Sequence, residues 1–96
     1  MVSAYRLTPR ARYDVREIWA YTVSVWGRRA ADRYIRELTK TFEAIATDPS
    51  HGAIVEDMDC RKQIFRSHVI FYAADHDEVI VVRVLHQQMD APSHLG

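Results

Sequence analysis

A single glycine, Gly27, separates two long segments that both repeat at the helical period. From Pro9 to Trp26, Ala11, Val15, Ile18 and Val25 recur at helical spacing, with Trp19 and Trp26 beside that stripe. Thr8-Pro9 supplies an N-cap and then a proline at the first helical position, where a missing N–H costs nothing. From Arg28 to about Thr47, Ala31, Ile35, Leu38, Phe42 and Ile45 form a second stripe, with Ala30 and Tyr34 alongside. Asp32 with Arg36, and Arg33 with Glu37, are spaced to pair along this helix. Asp48-Pro49 stops it, because a residue before proline avoids the α region. Two helices joined this closely form a hairpin, and its apolar stripes need a common surface to cover.

The rest of the chain supplies that surface. Ser50 to Asp59 reads as a loop, with Gly52 and the acids Glu56, Asp57 and Asp59. Arg61–Arg66, Val69–Ala74 and Val79–Leu85 are short and rich in β-branched and aromatic residues, as strands are. Asp75-His76-Asp77 separates the last two at hairpin length. In the last strand, alternation puts Val79, Val81, Arg83 and Leu85 on one face and Ile80, Val82, Val84 and His86 on the other. Apolar residues on both faces indicate a central strand. Val2 to Leu7 reads as an opening strand, and the tail from Gln87 is short and polar, one helical turn at most. The expected fold is α+β. An N-terminal strand and a two-helix hairpin pack on an antiparallel sheet of three to four strands, with a short C-terminal tail or helix. With 96 residues, 48% of them hydrophobic, residues 1–96 are expected to form one domain around one core.

Charge is distributed unevenly. The 13 basic and 13 acidic residues cancel, and a zero sum argues against strong non-specific binding to nucleic acid. Yet residues 1–36 hold eight arginines and three acids, a balance of +5, which the rest of the chain offsets. Such asymmetry points to a partner, and arginine suits interfaces better than lysine. The longest apolar run, Val69 to Ala74, is far below the ~18 residues that span a bilayer. No segment has a signal-peptide layout, and Cys60, the one cysteine, has no internal disulfide partner. A cytoplasmic protein that does not engage membranes is expected.

Several constellations could carry chemistry. His86, Asp90 and His94 are four residues apart, as metal ligands on one helix can be, but Pro92 interrupts the stretch; neither a metal nor another cofactor is expected. Ser67-His68 are adjacent and would point to opposite faces of a strand. Cys60 lies beside Arg61 and Lys62, which could lower its pKa. RNA cleavage needs a base, an acid and cations on the phosphate, and Arg61, Arg66, Arg83, His68 and His86 sit on or beside the sheet. Arg83 is flanked on its strand by apolar Val81 and Leu85, so it either reaches an edge or pairs with a carboxylate. Arg12 and Arg16 make an i,i+4 pair away from Val15 and Ile18. They read either as an interface or as a solvated face with Arg10 pairing to Asp14.

Two runs carry a resemblance: Ser67-His68-Val69-Ile70-Phe71-Tyr72, and Arg83-Val84-Leu85-His86-Gln87-Gln88-Met89-Asp90. With Ala11, Asp14-Val15, Ile18, Trp26-Gly27, Tyr34, Leu38, Pro49, Gly52 and His94-Leu95, the chain resembles the ParE branch of the RelE/ParE toxin superfamily over essentially its whole length. Asp59-Cys60-Arg61-Lys62 departs from the glycine–tyrosine–arginine that such relatives often carry there. The resemblance implies a cytoplasmic toxin of a type II toxin–antitoxin system, neutralised by a ParD-like antitoxin whose C-terminal segment wraps it. ParE-branch toxins act on DNA gyrase, whereas the RelE branch cleaves mRNA in the ribosome. RelE-type cleavage relies on many lysines and arginines and often a late tyrosine. Here the lysines are Lys40 and Lys62, and the one tyrosine after Tyr34 is Tyr72. A gyrase-directed toxin without its own catalytic residues, and without specific nucleic-acid binding of its own, is therefore favoured. The alternatives are a ribosome-dependent nuclease and an inactive protein-binding module. On this resemblance Arg61, Arg83, His86, Met89 and Asp90 would meet the target, and Arg12, Arg16, Trp19, Arg33 and Tyr34 the antitoxin.

Overall fold

The computed structural model describes residues 4–88 and Leu95. Strand β1 (Tyr5–Leu7) leads into helix α1 (Pro9–Trp26) and helix α2 (Arg28–Thr47). A 3-10 turn (Pro49–His51) follows, then strands β2 (Ala53–Val55), β3 (Cys60–Phe65), β4 (His68–Ala74) and β5 (Val79–His86). The sheet order is β1-β5-β4-β3-β2, with β1 parallel to β5 and all other pairs antiparallel.

The fold class is the expected α+β hairpin-on-sheet arrangement, with a sheet of five strands that is mixed rather than purely antiparallel. The extra strand, β2, lies inside the segment predicted as a loop; three residues flanked by glycine and acids give too short a period to read. The parallel pairing of β1 follows from connectivity. The whole hairpin lies between β1 and the meander, and it returns the chain to the far side of the sheet.

The α1 N-terminus forms as predicted. The Thr8 hydroxyl accepts from the Ala11 N–H at 3.1 Å, with Pro9 in the first turn. Gly27 then serves both helices. Its N–H donates to the Val23 carbonyl at 2.9 Å, ending α1, and its carbonyl accepts from the Ala31 N–H at 3.1 Å, starting α2. It adopts φ 92° and ψ 166°, a region essentially closed to side-chain-bearing residues. A Cβ there would meet nothing within 4 Å, so the demand is conformational, not spatial.

The core between helices and sheet is Ala11, Ile18, Leu38, Phe42, Ile45, Ala46, Ile70, Tyr72, Val79, Val81 and Val84, with Tyr5, Leu7, Val15, Tyr34, Ile35 and Phe65 packed against it. The α1 stripe ends earlier than its periodicity suggests. Val25 is 49% exposed and Trp26 73%. Tyr72 is fully buried, yet its hydroxyl is satisfied. It donates to the Pro49 carbonyl at 2.7 Å and accepts from the Gly52 N–H at 2.9 Å. A Cβ on Gly52 would lie 2.3 Å from that hydroxyl, so only glycine lets the turn approach.

The predicted alternation in β5 breaks at a bulge. Phe71 pairs with Arg83 and Tyr72 with Val81, which leaves Val82 without a partner on β4. The extra residue shifts the phase. Val84, and not Arg83, therefore continues the helix-facing row of Val79 and Val81.

Replacing Gly27 by alanine should destabilise the fold by about 1–3 kcal/mol through backbone strain alone. Urea unfolding measures this. A loss below 0.5 kcal/mol would show that the turn accommodates a side chain.

Candidate functional site

β1 accompanies β5 only from Val79 to Val81. Past that point α1 lies beside the strand and meets it with side chains. Thr8 donates its hydroxyl to the Val82 carbonyl at 2.9 Å. Asp14 lies on the buried face of α1 with Ala11 and Ile18. Its Oδ2 accepts from Arg83 Nε at 2.7 Å and from the Val84 N–H at 3.0 Å, and its Oδ1 accepts from Arg83 Nη2 at 2.9 Å. Both side chains are only 9% exposed. The bond to Asp14 holds the Arg83 guanidinium pKa above its ordinary value. Arg83 thus pairs with a carboxylate, and the expected Arg10–Asp14 pair does not form because Asp14 is taken.

The strand ends in a polar cluster. His68 and His86 are register partners, with rings edge to face at 5.5 Å between centroids. The Tyr34 hydroxyl from α2 lies 2.8 Å from His68 Nδ1. His86 Nδ1 accepts from the Gln88 N–H at 3.2 Å. Gln87 is bound to the β3–β4 turn twice: its N–H donates to the Ser67 carbonyl at 2.9 Å, and its amide donates to the Arg66 carbonyl. Arg66, at a positive φ of 54°, pairs with Glu37 and lies over the rings of Tyr34 and Phe65. Burial, then the nearby His86, pushes the His68 pKa below its ordinary 6.5. Ser67 sits in the turn rather than on the strand, so it does not point away from its neighbour; its Oγ is 3.5 Å from His68 Nδ1.

A groove of about 530 Å³ opens between α1 and this strand end. Arg10, Tyr13, Glu17 and Tyr21 form one wall, and His68 and Arg83–His86 form the other. Tyr13 is 46% exposed and Tyr21 68%. A second groove, of about 410 Å³, holds Trp26, Arg33, Tyr34 and Arg66.

The residues singled out from sequence fall into separate places. His86 belongs to the strand-end cluster, and Arg83 lies buried beneath it. Arg61 does not join them. It pairs in register with Tyr72, and its guanidinium donates to the carbonyls of Gly52 at 2.8 Å and Ser50 at 3.3 Å, fastening the 3-10 turn to the sheet. Met89 and Asp90 lie outside the described residues, as does His94. Arg12 and Arg16 are exposed on α1, and Arg33 is exposed on α2. The Trp19 indole donates to Asp32 at 2.9 Å, with Arg28 6.0 Å from its ring centre. The predicted pairs within α2 do not form, because Asp32 is used by Trp19 and Glu37 by Arg66. The Cys60 pKa is raised, by burial and then by Asp59, so Arg61 and Lys62 do not activate the thiol. Among the described residues, no group of three or more histidine, cysteine or acidic side chains is placed to hold a metal ion. Among them, no helix is long and apolar enough to cross a membrane.

The model of the family described as the ParE toxin of the type II toxin–antitoxin system parDE matches residues 5–91. The chain belongs to this ParE toxin family. Toxin ParE1 of Caulobacter vibrioides is 43% identical over 94 residues, covering 96% of this chain and 97% of that protein. Toxin ParE1 of Mycobacterium tuberculosis is 38% identical over 98 residues, covering 99% and 100%. Among solved structures, the chromosomal ParDE TA system from P. aeruginosa superposes with a TM-score of 0.77 at 15% identity, over 88% of this chain and 96% of that one. The toxin–antitoxin complex RelBE2 from Mycobacterium tuberculosis superposes with 0.60 at 17%, over 91% and 100%. At those identities the structural likeness is one of fold.

His68 makes the stability of this ParE toxin depend on pH. A folded-state pKa below 6.5 means that the unfolded chain takes up the proton first. The contribution is complete well above 6.5 and is lost as pH falls from there towards the lower folded value. Urea midpoints between pH 8 and pH 5 should decline, and His68→Gln should flatten part of that decline. An unchanged slope in the variant would remove His68 as the cause.

Proposed function

We propose that this ParE toxin arrests growth in the cytoplasm by gripping a protein, DNA gyrase, with the end of β5 and the residues after it. A ParD-like antitoxin would neutralise it by laying an acidic segment across the helical hairpin. Arg83, His86, Met89 and Asp90 would serve the first contact, Arg83 from below as a brace. Arg12, Arg16, Trp19, Arg33 and Tyr34 would serve the second. Arg61, tied to the 3-10 turn, would act on the target indirectly by holding the sheet edge.

The observation that carries this proposal is where the acids go. Asp14 is spent on Arg83, Asp32 on Trp19 and Glu37 on Arg66. Among the described residues, the hairpin's arginines enter no ion pair; Arg10 and Arg28 lie over the rings of Tyr13 and Trp19, and Arg12, Arg16, Arg29, Arg33 and Arg36 stay open. A helical hairpin with five open guanidinium groups and an exposed Trp26 is matched by a segment that brings carboxylates and apolar anchors. An antitoxin tail that orders on binding has that chemistry. The names of the relatives and of the ParDE neighbour support the pairing.

The strand end supports binding rather than cleavage. Phosphoryl transfer from RNA needs uncommitted cations beside an acid and a base. Arg83 and Arg66 are already paired with carboxylates, and His68 is held by Tyr34. Inhibition by binding needs only a surface that prefers one state of the target.

Expression without antitoxin, followed by parallel assays of gyrase supercoiling and transcript integrity, tests the first half. Supercoiling should be lost while transcripts stay whole. Cleaved transcripts with intact supercoiling would overturn it. For the second half, Arg12→Glu with Arg16→Glu should weaken antitoxin binding by about tenfold or more, roughly 1.4 kcal/mol, while the melting temperature stays within about 2 °C. Unchanged affinity in calorimetry removes the arginine face from the interface.

A further inference from the structure

We propose that Asp14, remote from the C-terminus in sequence, is a positioning residue for toxicity: its carboxylate sets the path on which β5 delivers residues 84–88 to the target. This rests on the reading that the end of β5 carries the toxic contact.

A strand paired on one side only tends to fray, because half of its backbone groups face solvent. β5 is in that condition past Val81, where β1 has ended and no other strand covers the outer edge among the described residues. The bulge at Val82 worsens it, since the ladder must resume in a new phase. At that point Asp14 intervenes. One oxygen accepts the Val84 N–H, as the carbonyl of an edge strand would. The same oxygen and its twin accept Arg83 Nε and Nη2. Three donors from two consecutive residues converge on one carboxylate, which fixes both the backbone direction and the side chain that follows the bulge. On the opposite side Gln87 is tied to the β3–β4 turn. Residues 83–87 are therefore held between α1 and that turn.

Stability does not explain the device. A buried ion pair is commonly no better than a well-packed apolar pair of similar size, because desolvation offsets the attraction. An apolar pair would fill the same space but could not accept the Val84 N–H. What the carboxylate adds is direction.

That difference supplies the test. Asp14→Asn alone strands the Arg83 charge and can unfold the chain, so the decisive variant is Asp14→Leu with Arg83→Met. It removes both charges and keeps apolar volume. It should remain folded and bind the antitoxin within about threefold of wild type. The dose needed to arrest growth should rise about tenfold or more. The Val84 amide should exchange with solvent about tenfold faster. A second variant, Asp14→Asn with Arg83→Gln, restores an acceptor for Val84 and should recover much of the toxicity. A folded Leu/Met variant that arrests growth at the wild-type dose overturns the proposal, as does loss of toxicity accompanied by equal loss of antitoxin binding. Wild-type chain that arrests growth without touching supercoiling defeats the gyrase assignment only, because the growth comparison still decides Asp14. Wild-type chain that arrests nothing overturns both.

Discussion

The contact between Asp14 and the Arg83–Val84 pair joins the two ends of the chain. It links the first helix to the last strand across some seventy residues of sequence, at a place where, among the described residues, no further strand covers the sheet edge. Without it, α1 would cover the core above Val79 and Val81 but would leave the strand end unguided. Its charge chemistry also propagates outward. Because Asp14 is committed, Arg10 has no free acid one turn away on its own helix and lies over the Tyr13 ring. Removing one partner of such a buried pair costs about 3–5 kcal/mol, a large share of the 5–15 kcal/mol that holds a domain of this size together.

A second clasp secures the other edge. The Tyr72 hydroxyl bridges the Pro49 carbonyl and the Gly52 N–H, and Arg61 holds the Gly52 and Ser50 carbonyls from β3. The chain leaving α2 is therefore bound to the sheet through backbone groups, which require fixed distances and not merely apolar contact. Gly52 has to lack a side chain for the same reason. The two clasps bracket the hairpin, one on each side of the core, so its outer surface can remain arginine-rich without weakening the attachment beneath.

Much of this was legible in the residue order. Thr8-Pro9, Gly27 and Asp48-Pro49 mark the helix ends by backbone chemistry that needs no tertiary context, and each end falls within a residue of its mark. The strands from Cys60 to His86 announce themselves by β-branched and aromatic content. The bulge does not, because Val79 to Val82 is apolar throughout and a uniform run carries no phase. The Asp14–Arg83 pair left two faint traces: an acid between Ala11 and Ile18 on a buried stripe, and an arginine between Val81 and Leu85. Each looks anomalous alone, and only the topology shows that they answer one another. His68 and His86 meet through strand register, which depends on that same bulge. Local signals thus specify elements, whereas sites built across elements depend on pairing offsets that single residues set.

The zero net charge follows the same division. Of the five acids in the hairpin, three are spent inward or sideways: Asp14 on the strand, Asp32 on an indole, Glu37 on the β3–β4 turn. Each use fixes an element in place. The arginines left over are exposed on the two helices, where mutual repulsion is screened over roughly 10 Å at moderate salt and costs little. Pairing them internally would have added only a few tenths of a kcal/mol per exposed pair. Leaving them open keeps five planar donor groups on a rigid hairpin, ready to take carboxylates in pairs. The open arginines of the hairpin are therefore the charge that folding did not consume, and they are what a partner has to answer.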